Sequence, residues 1–175
     1  MNIVVCLKQV PGTTEVKINA ETNTLIRQGI KNVINPFDTY ALEEGVRLRE
    51  KHGGKVTAIS MGPPQALDML KEAVSLGADE AVLLSDGAFA GSDTWATAYT
   101  LAGAVKKLGA VDLVICGRQS TDGDTAQVAP EMAEMMGVPF VAYVSRIEEI
   151  IHGEIRLQRM IDEGYEAIQS PLPMV

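Results

Sequence analysis

Four short apolar runs recur along the chain, at residues 3–7, 55–60, 81–84 and 113–116, and each gives way to a turn or a helix start. They are too short and too rich in β-branched or aliphatic residues to be helices. Apolar runs without polar alternation suit strands covered on both faces, the condition of a parallel sheet. Helix-period segments stand between them. This alternation predicts an α/β fold: an open, doubly wound, mostly parallel sheet with helices on both sides. With 46% hydrophobic but only 5% aromatic residues, the core must be built mainly from Val, Ile, Leu and Ala.

The helix signals are specific. Asn35 can cap a helix, Pro36 fits the first helical position, and Asp38 stands where a capping-box acid would. Phe37, Ala41, Gly45 and Leu48 then share a face, and Gly53 and Gly54 end the helix. Pro64 opens a second helix, with Leu67, Leu70 and Val74 inward and Gly77 as its stop. Ser92 and Asp93 open a third, with Ala98, Leu101, Ala102, Val105 and Leu108 on one side. The fourth spans residues 125–136 and stops at Gly137. Two segments break the pattern. Residues 15–27 alternate polar and apolar and read as an excursion or hairpin. Residues 141–175 read as a C-terminal β extension, with strands at 141–147, 154–160 and 165–170 and turns at Gly153 and Gly164. With no linker or internal repeat, residues 1–175 are expected to form one domain.

The run from Gly117 to Val128 joins the fourth strand to the fourth helix. Such a junction places backbone N–H groups where a negative group can sit, and the helix dipole adds to the attraction. Gly117 permits close backbone approach. Ser120, Thr121 and Thr125 offer hydroxyls. Asp122 and Asp124 can cap helices or accept from a ribose, and Gln127 can reach back over the loop. Arg118, Gln119, Gly123, Ala126 and Val128 complete the run. Ligands bind at strand carboxyl ends in such sheets, which favours a nucleotide site over a well-capped polar connection. A calcium loop is the weaker alternative, because Ala126 and Val128 stand where oxygen ligands would be needed. Phe89, Gly91, Ser92, Asp93 and Thr94 form a second strand-to-helix junction, suited to a diphosphate or explained as an ordinary Ser/Asp cap. For Asn35 to Asp38, capping is sufficient, and only position argues for ligand contact.

Several classes are excluded. No G-x-G-x-x-G follows the first strand and no G-x-x-x-x-G-K-[ST] occurs. Neither His52 nor His152 stands beside a nucleophile or in a zinc spacing, so no self-contained catalytic centre and no metal site is expected. The net charge of −8 with no basic tract argues against nucleic acid or an anionic membrane. Cys6 and Cys116 lie in apolar runs and read as reduced, buried thiols. With no signal-like segment before the first strand and no apolar run near ~20 residues, a cytoplasmic protein is expected.

Ordered motifs along nearly the whole chain then converge: residues 4–10 (VVCLKQV), 35–43 (NPFDTYALE), 56–63 (VTAISMGP), 117–127 (GRQSTDGDTAQ) and 170–173 (SPLP). In these the chain resembles the beta subunit of electron-transfer flavoprotein. The resemblance implies a sheet of the adenine-nucleotide α-hydrolase-like type and a larger alpha subunit as partner. It also implies AMP or, in electron-bifurcating members, FAD as ligand. Carried over by motif, the contacts are Cys6, Asn35, Pro36, Phe37, Asp38 and Met61 together with Gly117 to Val128. The segment Phe89 to Thr94 resembles the bifurcating type, which favours FAD over AMP. In that type NADH is the electron donor, and one electron goes to a flavin on the alpha subunit. Flavin dehydrogenases are the further partners implied, and a chain shorter than the family at its C-terminal end is the departure expected. The alternative function is an adenine-nucleotide-binding regulatory or structural module without redox work.

Overall fold

A computed structural model describes residues 1–12 and 32–175. Four strands form a parallel sheet: β1 (Asn2–Cys6), β4 (Lys55–Met61), β5 (Glu80–Leu84) and β6 (Leu113–Cys116), in the order β5-β4-β1-β6. The short strands β2 (Gln9–Pro11) and β3 (Asn32–Ile34) pair antiparallel beyond the end of β1. The expected excursion at residues 15–27 lies outside the described residues.

The chain winds from β1 to β4 and β5, then returns to the other side of β1 as β6. Helices α1 (Pro36–His52) and α2 (Ala66–Ser75) cover one face of the sheet. Helices α3 (Thr94–Lys107) and α4 (Val128–Met136) cover the other. Alternate strand residues divide accordingly: Ile3 and Val5 face the α1 side, while Val4 and Ile59 face the α3 side, all essentially buried. This is the doubly wound sheet expected, with helices on both sides of strands covered on both faces.

The antiparallel extension is also present, as β7 (Val144–Ile151), β8 (Glu154–Ile161) and β9 (Gly164–Pro171) in one sheet. Ile155 and Leu157 of β8 join the core on the α1 side. Met174 then runs parallel to Leu113 beside β6, and both are buried.

Three local readings change. In α2 the buried face is Ala66, Met69, Leu70 and Ala73, while Leu67 and Val74 are exposed, because they lie about a quarter-turn off that face. On α3, Leu108 is the C-cap and is exposed. The fourth helix starts at Val128, not at residue 125, so the polar run before it is longer than the capping pattern suggested.

Candidate functional site

Four loops leave the carboxyl ends of the parallel strands and enclose a cleft of about 1130 Å³. Its floor lies at the crevice between β1 and β6, where the winding order reverses. Cys6 and Cys116 end these two strands side by side, paired in register and both on the α3–α4 face. The Cys6 thiol is pushed well above its ordinary pKa by interaction with the neighbouring Cys116, by burial, and by the Asp38 carboxylate.

The long loop is fastened from the α1 side. Asn35 is 1% exposed and occupies the N-cap position, yet its side chain makes no capping bond. Its amide donates to Gln119 O at 2.8 Å and to Asp38 Oδ1 at 2.9 Å, and its oxygen accepts from Thr121 N at 3.2 Å. Asp38 is no capping-box acid either. Its Oδ2 accepts from Lys8 N at 2.6 Å, across the junction between β1 and β2. Burial raises the Asp38 pKa to about 6, while Asn35, the Lys8 N–H, the Lys8 charge and the Gly117 N–H pull it back toward the ionised form. Gly117 passes against this carboxylate so closely that a Cβ would collide with Asp38 Oδ1 and lie 2.8 Å from Asp38 N. Only glycine leaves room for that approach.

Lys8 closes the same corner from the cleft side. Its ammonium donates to Asp122 Oδ1 at 2.8 Å and to Ser120 Oγ at 3.3 Å. Partial burial works against the Asp122 carboxylate, but the bonds from Lys8 and Ser120 and the Lys8 charge outweigh it and hold the pKa below its ordinary value. Arg118 stacks between the rings of Phe37 and Tyr143, 5.8 and 5.4 Å from their centroids, and its guanidinium donates to Gln119 Oε1. Gln119 Nε2 in turn donates to Asp124 Oδ1.

Beyond Asp124 the fastening stops. Asp124 and Ala126 both have φ of +53°, the left-handed region that L residues adopt at a cost. No acceptor among the described residues receives the backbone N–H groups of Thr125, Ala126, Gln127, Val128 or Ala129, all of which line the cleft. The first intrahelical bond of α4 runs from Glu131 N to Gln127 O. Open donors at a helix N-terminus have the geometry and dipole that an anion would require.

The second junction differs. Asp93 caps α3 by accepting from Ala96 N at 2.8 Å, and Ser92 Oγ donates to Phe89 O at 2.8 Å. Thr94 Oγ1 donates to Glu131 Oε1 at 3.1 Å, which ties α3 to α4. The carboxylates of Asp93 and Glu131 thus already place negative charge at this junction.

Of the residues singled out in the sequence, Cys6, Asn35, Asp38, Met61, Phe89, Gly91, Ser92, Asp93, Thr94, Gly117, Arg118, Gln119, Ser120, Gly123, Thr125, Ala126, Gln127 and Val128 line the cleft. Pro36, Phe37, Thr121, Asp122 and Asp124 do not; the last four form its supporting layer through the contacts above, and Pro36 begins α1. Sequence reasoning missed Lys8, Asp86, Pro63 and Pro64, which line the cleft, and Glu131, which braces it. The rule that ligands gather at strand carboxyl ends points to Lys8 and Pro63, because both follow a predicted strand. Nothing local marks Glu131.

An open parallel sheet with its cleft at the reversal of strand order defines the class: a doubly wound α/β protein of the ligand-binding kind. Within that class the chain belongs to the electron transfer flavoprotein family, whose domain, "Electron transfer flavoprotein domain", matches residues 22–175. It is 53% identical over its full length to "Electron transfer flavoprotein subunit beta" of Thermoanaerobacterium thermosaccharolyticum, covering 66% of that protein. It is 47% identical to "Protein FixA" of Azorhizobium caulinodans, over 99% of this chain and 64% of that one. It is 49% identical to "Caffeyl-CoA reductase-Etf complex subunit CarD" of Acetobacterium woodii, over 99% and 66%. The chain therefore spans about two thirds of the length of the curated relatives it matches. No helix among the described residues is long and apolar enough to cross a membrane.

Proposed function

We propose that this chain is the cofactor-holding part of an electron-transfer flavoprotein beta subunit, with FAD in the cleft and electrons passed to a flavin on a partner alpha subunit. The observation that carries the reading is the run of open backbone donors from Thr125 to Ala129 at the N-terminus of α4. Phosphate oxygens would take these donors, and Lys8 and Arg118 add positive charge nearby. Cys6 and Met61 offer the apolar strand ends against which an adenine would lie.

Size supports FAD over AMP. A cleft of about 1130 Å³ exceeds the ~300–1,000 Å³ typical of small-ligand pockets, room for a dinucleotide. The junction from Phe89 to Thr94, with Asp93 and Glu131 already present, suits a neutral ring or a hydroxyl better than a second phosphate. FAD, when bound, supplies the redox chemistry. The protein's own residues position the cofactor, exclude water from the crevice and set its electrostatic surroundings. Likeness to a subunit of a caffeyl-CoA reductase complex supports the bifurcating type, with NADH as donor. A cytoplasmic site of action and flavin dehydrogenases as partners belong to the same reading.

The test is to purify the chain with and without a co-expressed alpha subunit, denature it, and identify the released nucleotide by chromatography and absorbance. More than one FAD per heterodimer supports the proposal. AMP with a single FAD refutes the bifurcating assignment, and no nucleotide at all refutes the cleft as a cofactor site.

A further inference from the structure

The two cysteines of the chain are 110 positions apart, yet they end neighbouring parallel strands in register. Residues paired this way point to the same face, with backbones ~4.8 Å apart. Both are partly exposed, and both line the floor of the cleft. They are the only cysteines in the chain. A pair of thiols so placed has a chemistry that neither has alone.

We propose that Cys6 and Cys116 form a dithiol site for thiophilic electrophiles of the trivalent arsenical class, and that its capture of such a group and nucleotide occupancy of the cleft exclude one another. A disulfide is the less favourable product here, because it requires the sulfurs to close to ~2.05 Å between two strands already fixed by ladder bonds. An S–As–S bridge holds its two sulfurs farther apart than a disulfide does, so it asks less movement of paired strands. With an organoarsenic oxide the step is a condensation. Two S–H bonds and the As–oxygen bond break, two As–S bonds form, and the oxide oxygen leaves with both protons as water. No electrons are transferred, arsenic stays trivalent, and no thiolate need be present beforehand. Soft sulfur ligands prefer soft acceptors, and a second sulfur makes the complex cyclic. The fold supplies the proximity, which raises the effective concentration of the second thiol over that in an unfolded chain. Only the exclusion rests on the nucleotide reading, through the position of both sulfurs on the cleft floor.

The probe is phenylarsine oxide, added to the intact chain and followed by intact mass and by counting thiols that remain reactive. The expected result is one phenylarsenic group per chain with both thiols lost together, reversed by a competing dimercaptan. In the urea-unfolded chain binding should weaken on the order of tenfold or more. The variants Cys6→Ser and Cys116→Ser should each lose the adduct, and the folded-versus-unfolded comparison decides the point if either variant fails to fold. Loss of one thiol only, equal binding when unfolded, or arsenic linking two chains would overturn the dithiol site. Saturating AMP, its binding measured by calorimetry, should slow capture. Unchanged capture with AMP bound overturns the exclusion. Absence of binding by both AMP and FAD overturns the nucleotide reading instead, and leaves the dithiol site to be judged by its stoichiometry.

Discussion

Replacing Asn35 by Ala tests whether this residue caps α1 or fastens the loop. The side chain makes three bonds: one to the Asp38 carboxylate, one to the Gln119 carbonyl and one from the Thr121 N–H. The charge-assisted bond is worth about 1.5–3 kcal/mol and each neutral bond about 1 kcal/mol. Water reaching the exposed side of the loop offsets part of that, so the expected net loss is about 2–3 kcal/mol, read from urea unfolding. Nucleotide affinity should fall with it by on the order of tenfold, since 1.4 kcal/mol of loop-ordering cost is one decade. The discriminating variants are Asn35→Ser and Asn35→Asp, both good N-caps. If capping were the role, they would restore wild-type stability. Neither can donate both bonds, and Asn35→Asp would set a second carboxylate beside that of Asp38. Recovery of wild-type stability in Asn35→Asp would refute the reasoning, and so would an unchanged affinity in Asn35→Ala.

The other predictions concern the same corner. The Asp38 pKa is raised from 3.8 to about 6. The native state therefore binds more protons than the unfolded one between these values, and stability falls as pH rises through that window. Urea unfolding should show wild type losing about 2 kcal/mol relative to Asp38→Asn between pH 4 and pH 7, and parallel curves would contradict it. Gly117→Ala should destabilise by about 1–3 kcal/mol or force the loop off Asp38, because its Cβ would meet the Asp38 backbone and carboxylate, and thermal unfolding measures this. Gln127→Ala and Asp124→Ala should both weaken nucleotide retention. The first acts within the cleft and the second through Gln119, so Gln119→Ala should mimic only the second.

What the sequence reveals and what it hides divide along a physical line. The four strands and the faces of α1 and α3 follow from apolar period, because burial on one or both sides of a sheet leaves a local pattern. The α2 face escapes that reading because Ala66 and Ala73 carry little hydrophobic weight, whereas Leu67 and Val74 stand out by type yet lie in the open. At the site, residue type is informative and role is not. Asn35 and Asp38 have the composition of a capping box, and the local chain could satisfy one. Their actual partners, Gln119, Thr121 and Lys8, are 84, 86 and 30 positions away. A capping pattern depends only on neighbours, so no reading of neighbours reveals that a stronger distant set has displaced it. Asp93 is the converse: its cap is local, and the structure shows that bond.

The two halves of the loop play different parts, and this difference ties the fold to the proposed function. Residues up to Asp124 are held by Asn35, Asp38 and Lys8, and by the bond from Asp124 N to Ser120 O. All three fastening residues come from the end of β1 or the start of α1, the elements on the far side of the crevice from α4. The donors of Gln127, Val128 and Ala129 are open because the first turn of a helix has no intrahelical acceptors for them, and those of Thr125 and Ala126 find no acceptor among the described residues. Had the loop been fastened to α4, ordering it and ordering the helix end would have been one event, and a ligand would bear that cost on binding. Anchored instead to the opposite wall, the first half presents the second in place beforehand, and under the proposed function a phosphate would meet donors whose conformational entropy was lost during folding. The left-handed residues Asp124 and Ala126 are then intelligible as strain that the fastening sustains. Cutting the fastening at Asn35 should therefore weaken binding while leaving the backbone donors of Thr125 to Ala129 in the chain.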